Sequence, residues 1–269
     1  MKKVWFITGC SSGFGKEIAK YALEKGDFVV ATARNPDKIE VEGDILKLKL
    51  DVTKKEDIKK AVKEAVAWKG KIDVLVNNAG FGNVGSIEET PDDQWQKLYA
   101  VNVFGLIDMT KEVLPYMKKA KSGHIVNFSS VAGLLSMAGF GPYCSTKFAV
   151  EGISEALSQE VGPLGLKVTI IEPGAFRTKF VSNIVKANFA EEYKDSVGQT
   201  AAMFSGLADN AAGDPKKLAH VVYDVVSMEK PPIRLLLGKD AYNWALPKLE
   251  GMVSEMKAHK EISESTDFD

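Results

Sequence analysis

The chain has 269 residues, 45% of them apolar and 26% charged, and a formal net charge of -1. That is enough apolar material for a full core in one domain, and the lysines are scattered rather than massed, which excludes a nucleic-acid footprint. No stretch approaches the roughly 20 apolar residues of a membrane span, and the apolar run behind Lys2 and Lys3 is too short for a signal-peptide core, so a cytoplasmic protein is expected.

Short β-branched runs alternate with helical patterns. Val4 to Thr8 reads as a strand, Lys16 to Lys25 as a helix, Phe28 to Thr32 and Leu46 to Leu50 as strands, and Lys54 to Trp68 as the next helix. A strand Ile72 to Val76, a long helix from about Pro91 to Lys119, a strand His124 to Phe128, a helix from Tyr143 to about Val161 and a strand Lys167 to Ile171 continue the series. A helix near Pro215 to Ser227 and a strand Ile233 to Leu237 close it. This repetition, with near-continuous apolar strands, predicts an α/β fold: a doubly wound parallel sheet of Rossmann type flanked by helices on both faces, in a single domain over residues 1–269. The rhythm breaks after Pro173-Gly174, leaving an insertion at about 180–214 that is expected on the substrate side. There Phe180, Val181, Ile184, Val185, Phe189 and Tyr193 recur at helical spacing and predict an amphipathic helix. The tail at about 261–269, rich in acid and serine, is expected to fray.

The first strand runs into Thr8-Gly9-Cys10-Ser11-Ser12-Gly13-Phe14-Gly15. Glycines at 9, 13 and 15 let backbone amides approach a pyrophosphate at a helix N-terminus, although their spacing is G-x-x-x-G-x-G rather than the general dinucleotide fingerprint. Arg34 follows the second strand, and no carboxylate ends that strand at Thr32 or Ala33. A guanidinium there suits a 2′-phosphate, so NADP(H) is favoured over NAD(H). Ser12 can add a hydrogen bond to that phosphate or serve only the local turn. Asp51, with Val52 beside it, is expected at the adenine edge or as a turn residue before the next helix.

Tyr143 and Lys147 stand four residues apart, on one face of a predicted helix. Moving a phenol three pKa units toward neutrality takes roughly 4 kcal/mol, and one ammonium about 4 Å away at an effective dielectric of ~20 supplies about that much. With Ser130 thirteen residues upstream of Tyr143, the set reads as a nicotinamide-dependent carbonyl/alcohol oxidoreductase. Cys10 and Cys144 suggest no structural disulfide, and His124, His220 and His259 lack ligand spacing, so no metal is expected.

Thr8 to Gly15, Asn77-Asn78-Ala79-Gly80, Asn102, Ser130, Tyr143, Lys147 and Pro173-Gly174 together resemble the short-chain dehydrogenase/reductase family in its compact single-domain branch, over residues 4 to 240. Within it, Thr8 to Gly13 and Ala31-Thr32-Ala33-Arg34 look like the hydroxysteroid and retinol dehydrogenase subgroup. The resemblance implies the glycine turn for the diphosphate and Asn77 to Gly80, including Asn78 and Ala79, beside the adenine ribose. It also implies a tetrad of Asn102, Ser130, Tyr143 and Lys147, in which Asn102 holds a water linking Lys147 to solvent. Pro173-Gly174-Ala175-Phe176-Arg177-Thr178 matches the family's P-G-x-x-x-T element near the nicotinamide, with Ile171 and Thr178 as contacts. Homodimers or homotetramers through the helices at about 91–119 and 143–161 follow by fold analogy.

On the substrate side the candidates are Ser136, Met137, Ala138, Phe140 and Pro142, with Phe180, Val181, Ile184 and Phe189 from the later segment. They make an apolar wall without a basic cluster, which favours a small to medium apolar ketone, aldehyde or alcohol over a polyanion. Two other readings stay open: a dehydrogenase of a polar substrate such as a sugar or acyl thioester, and a non-catalytic sensor of NADP(H).

Overall fold

Among the described residues, the apolar runs form strands β1 (Val4–Ile7), β2 (Phe28–Ala33), β3 (Ile45–Lys49), β4 (Val74–Asn77), β5 (Asn83–Val84), β6 (Gly123–Phe128), β7 (Leu166–Pro173), β8 (Val185–Lys186) and β9 (Arg234–Leu237). The computed structural model describes residues 2–182, 184–186 and 189–268, without the side chains of residues 181, 182, 185, 186 and 207–209. Seven strands pair in parallel in the order β3-β2-β1-β4-β6-β7-β9, the expected doubly wound sheet. Strands buried on both faces explain why the runs read as continuously apolar rather than alternating.

The helices are α1 (Gly13–Glu24), α2 (Lys55–Lys69), α3 (Asp92–Tyr99), α4 (Gly105–Ala120), α5 (Gly141–Val161), α6 (Lys179–Ser182), α7 (Gln199–Asn210), α8 (Pro215–Ser227), α9 (Lys239–Ala258) and α10 (Lys260–Glu264). One sheet face is covered by α1 through Ile18 and Ala22 and by α8 through Leu218 and Val222. The other is covered by α2 through Ile58 and Val62, α4 through Met109 and Val113, and α5 through Leu157 and Val161. Each fully buried large aliphatic of this kind contributes roughly 1.5–3 kcal/mol.

Four segments depart from expectation. The helix after the glycine turn starts at Gly13, one turn earlier than Lys16, so its open amides face the strand ends. The helix expected from Pro91 to Lys119 is two helices separated by a π-helical turn, Ala100–Phe104, whose looser winding carries Asn102. The amphipathic helix expected from Phe180 to Tyr193 is absent: α6 stops at Ser182, and β8 pairs in parallel with β5 instead. β-branched Val185 pairs with Asn83, and Lys186 with Val84, which overrides the helical spacing; of that expected apolar face, the side chains of Val181 and Val185 lie outside the described residues. Finally, α9 was not expected at all, and α10 occupies the start of the segment expected to fray.

Candidate active site

The connections leave β1 toward β2 and β4 toward β6, so the strand order reverses between β1 and β4 and opens a crevice at their C-terminal ends. A cavity of about 800 Å³ occupies it. It runs from Arg34, Asp51 and Val52 past Gly9, Ser11, Ser12, Gly13 and Phe14 on one side and Asn78, Ala79 and Gly80 on the other. It then reaches Ser130, Tyr143, Lys147, Pro173, Gly174 and Thr178, and ends among Met137, Phe140, Phe180, Phe204 and Trp244.

At the glycine end the backbone is cross-braced. The Thr8 hydroxyl donates to the Val76 carbonyl at 3.2 Å and accepts from the amides of Asn78 and Ala79, both at 2.9 Å. Asn78 Nδ2 returns bonds to the carbonyls of Thr8 (2.8 Å) and Gly9 (3.3 Å). Gly9 has φ +75°, where a side chain is strained, and a Cβ on Gly15 would stand 2.6 Å from the Gly9 oxygen. Gly15 therefore serves close packing and does not itself line the cavity. Ser12 is the N-cap of α1 but makes no side-chain capping bond, so the first-turn amides of α1 have no acceptor from it.

Arg34 is exposed at the cavity rim and makes no ion pair among the described residues. Asp51 accepts from the Thr53 amide (3.0 Å) and hydroxyl (2.7 Å), so it is a turn residue and a cavity residue at once. Burial raises its carboxyl pKa, but the Thr53 bonds, Lys54 and Arg34 outweigh that and hold it below the usual range. An elongated crevice with a close-packed glycine turn, open helix amides and an unpaired guanidinium at its far rim fits a dinucleotide.

At the other end, α5 carries Tyr143 and Lys147, both buried. Lys147 Nζ donates to the Phe128 carbonyl at 2.8 Å and lies 5.7 Å from the Tyr143 ring centre. Ser130, just after β6, accepts from the Ala132 amide at 3.1 Å, donates to the Pro173 carbonyl at 3.3 Å and lines the cavity with Tyr143. Burial pushes the phenol pKa up, with the nearby Ser130 hydroxyl opposing it. Burial also pulls the Lys147 ammonium down to about 8, with Glu151 opposing that shift. In this geometry desolvation outweighs the attraction that charge spacing alone suggests.

Asn102 is buried in the π turn, outside the cavity lining. Its side-chain oxygen accepts from the Phe81 amide (3.1 Å), and its Nδ2 donates to the Phe81 carbonyl (2.9 Å) and the Thr146 hydroxyl (3.1 Å). The amide group is thus committed to holding the Phe81 loop against α5, with no bond to Lys147. Asn77 is likewise internal, donating to Thr110 (3.1 Å) and Asn127 (2.9 Å). Ile171 is a sheet residue paired with Phe128 and Leu235, not a cavity contact.

Behind Lys147 lies a group that the motifs did not single out. Glu151, one turn further along α5, and Glu172, on β7 next to Pro173, are both buried and face each other beside Arg234. Arg234 Nε is 3.1 Å from Glu151 and 3.8 Å from Glu172, and its Nη2 is 2.7 Å from Glu155. Burial raises both buried carboxyls, and their mutual repulsion raises Glu172 further. A four-residue step from Lys147 was the available signal for Glu151; nothing local marked Glu172.

The end of the cavity expected to take the substrate is aromatic. Phe140 meets Phe204 at 4.2 Å between ring centres, and Tyr143 meets Phe180 at 5.6 Å. Met137, Phe140 and Phe180 line the cavity as expected, while Ser136 is exposed outside it and Ile184 is buried behind Gly82 and Phe180. Phe204 and Trp244 were missed because they reach the site from α7 and α9, remote in sequence and free of any motif.

Comparison with known proteins fits this geometry. The family model described as short chain dehydrogenase matches residues 3–188. Oxidoreductase BOA17 of Botryotinia fuckeliana is 36% identical over 270 residues, covering 98% of each chain. The 3-ketodihydrosphingosine reductase of Bacteroides thetaiotaomicron is 37% identical over 239 residues, covering 88% of each. Among solved structures, a short-chain dehydrogenase from Streptomyces avermitilis superposes with a TM-score of 0.90 at 39% identity, covering 100% of both chains. A 3-ketoacyl-(acyl-carrier-protein) reductase from Brucella melitensis complexed with NADH is similar at TM-score 0.75 and 26% identity, covering 87% of this chain and 96% of that one. ElxO with NADP bound is similar at 0.73 and 28%, covering 88% and 97%.

Proposed function

This chain belongs to the short chain dehydrogenase family of oxidoreductases, and from that premise we propose that it interconverts apolar ketones or aldehydes and their alcohols with NADP(H), using Tyr143 as general acid and base. The observation that carries the reading is one continuous cavity with an unpaired arginine at its polar rim, an aromatic wall at its other end, and Tyr143 between them. A bound nicotinamide would supply or accept the hydride at the carbonyl carbon.

The chain's own residues do the rest. Tyr143 gives its proton to the developing alkoxide in reduction and takes it back in oxidation. Ser130, which lines the same cavity as Tyr143, donates to the same substrate oxygen as charge gathers there. Lys147 holds the ribose hydroxyls and stabilises phenolate. Asn102 keeps the Phe81 loop and α5 in register, and a water on its backbone would connect Lys147 to solvent. Arg34 recognises the 2′-phosphate, Asp51 the adenine edge, and Thr178 the nicotinamide side.

Phe140, Phe180 and Phe204 favour an alkyl-rich carbonyl. The name of the Bacteroides relative, a ketone reductase of a sphingoid base, supports a long apolar chain on that ketone. We also propose a cytoplasmic homodimer or homotetramer, with exposed Phe104, Tyr116 and Phe148 as its apolar contact surface. Among the described residues no helix is long and apolar enough to cross a membrane.

The test is oxidation of NADPH or NADH by the purified protein with long-chain ketones, small aldehydes, sugars and acyl thioesters. Turnover that rises with alkyl length and prefers NADPH is expected. A preference for sugars or for small polar thioesters would overturn the substrate reading, and binding without turnover across the panel would overturn the catalytic one.

A further inference from the structure

Beyond Ala245, α9 leaves the body of the protein, and every described residue from Leu246 to Phe268 is exposed. Its outer surface is not uniformly polar. Tyr242, Leu246, Leu249, Val253 and Met256 are 56, 40, 41, 49 and 71% exposed. They recur at alternating steps of four and three residues, the spacing that keeps one apolar seam turned toward a partner helix. A projecting helix with Pro247 and Gly251 in its interior has little intrinsic stability, because short isolated helices are marginal in water and these two residues weaken them further. An apolar seam on such a helix calls for a cover.

We propose that this seam docks against α9 of a second copy of the chain, in antiparallel register. Charge selects both the occupant and the direction. Glu250 and Lys257 lie along the same edge of the seam, one heptad apart. With a two-fold axis near Ser254, Val253 packs on Met256 of the partner subunit, while Glu250 meets Lys257 of the partner subunit and Lys257 meets its Glu250. One symmetry operation thus creates two attractive pairs. Parallel pairing would instead set Lys257 beside Met252 and Glu250 beside Ala245, with no such complement. A lipid surface is the competing cover, and the sign of charge opposes it: residues 239–268 hold four lysines against six acids, which anionic headgroups repel.

The contact is continuous with the site. The first turns of α9 bury Ala241 and Ala245 against Val131 and Leu135, and Trp244 lines the cavity. Pairing of the outer half of α9 therefore braces one wall of the substrate end.

Sedimentation of the full-length protein over a range of concentrations tests this without reference to activity. Wild type is expected to associate, and Val253→Glu to halve the mass of the assembly while keeping the far-ultraviolet spectrum of the folded chain. Glu250→Lys should raise the dissociation constant about tenfold and Glu250→Lys/Lys257→Glu should restore it to within about threefold. Glu255→Lys, the same charge change off the seam, should do nothing. A wild type that stays monomeric, a Val253→Glu assembly of unchanged mass, or a failure of the double variant to rescue would each overturn the proposal. So would co-sedimentation of wild type with phosphatidylcholine–phosphatidylserine vesicles that Val253→Glu abolishes, which would make the seam a membrane contact.

Discussion

At the glycine end of the cavity, strand ends are tied to one another by short bonds, whereas at the aromatic end separate short segments are held by ring contacts and side-chain tethers. The side chains of Thr8 and Asn78 alone make five hydrogen bonds between the ends of β1 and β4. Opposite them, the segment after α6 is anchored by the Ala190 amide on Glu89 at 2.8 Å, the Tyr193 hydroxyl on Glu88, and Phe204 against Phe140. The contrast implies different tolerances. A change at the glycine end strains a rigid frame shared by all the parallel strands, and a change at the aromatic end reshapes one wall and leaves the frame alone.

Substitutions at each end should separate the two. The largest effect is expected at the rim: Arg34→Asp removes charge-assisted bonds to a 2′-phosphate and adds repulsion, raising the NADPH dissociation constant about 100-fold while NADH changes only about threefold or less. Equal losses for both, by fluorescence titration, would remove the phosphate assignment.

Next comes the frame. Gly15→Ala sets a methyl group 2.6 Å from the Gly9 carbonyl and should cost about 1–3 kcal/mol, read as a lower midpoint in urea. An unchanged midpoint would mean that the glycine turn is looser than described.

Smaller still, Phe204→Ala opens the aromatic wall. The KM for a long-chain ketone should rise about tenfold while cofactor affinity holds within about twofold, since the lost area is apolar and remote from the glycine turn. Parallel losses in both would break the separation between the two ends.

The smallest effect concerns pH. Burial and Glu151 raise the Glu172 pKa from 4.5 to about 8, so the folded state holds this proton more tightly than the unfolded chain. Stability contributed by the protonated carboxyl is fully present below pH 4.5 and is lost as pH rises to about 8. Glu172→Gln stays neutral throughout, so its melting temperature should decline less across that window than that of wild type. An identical slope would mean the buried acids are ordinary.

The same contrast explains what could be read in the residues. The glycine turn, the apolar strands and the Tyr143–Lys147 step are local patterns, and the sheet and the face of α5 that Tyr143 and Lys147 share followed from them. The π turn at Asn102 was invisible because the apolar periodicity runs on through an extra-wide turn that holds no proline or glycine of its own, and Gly105 just after it stays helical. Asn102 and Ser130 were expected from resemblance, but the bonds that commit the Asn102 amide to Phe81 depend on tertiary contact. At the aromatic end, helical spacing over Phe180 to Tyr193 gave way to pairing of β8 with β5, a partner about a hundred residues away. Pro247 and Gly251 disguised α9, and with it Trp244.

The most direct measurement is a single-turnover reaction of Tyr143→Phe loaded with NADPH and mixed with a ketone that wild type reduces. Both ends of the cavity survive in this variant, so cofactor affinity and ketone binding should stay within a few-fold, while the rate of NADPH consumption falls by about 10²–10⁴, the range of a lost general acid. A rate equal to that of wild type at matched occupancy would contradict the account at its centre, because proton transfer would then have to come from another group.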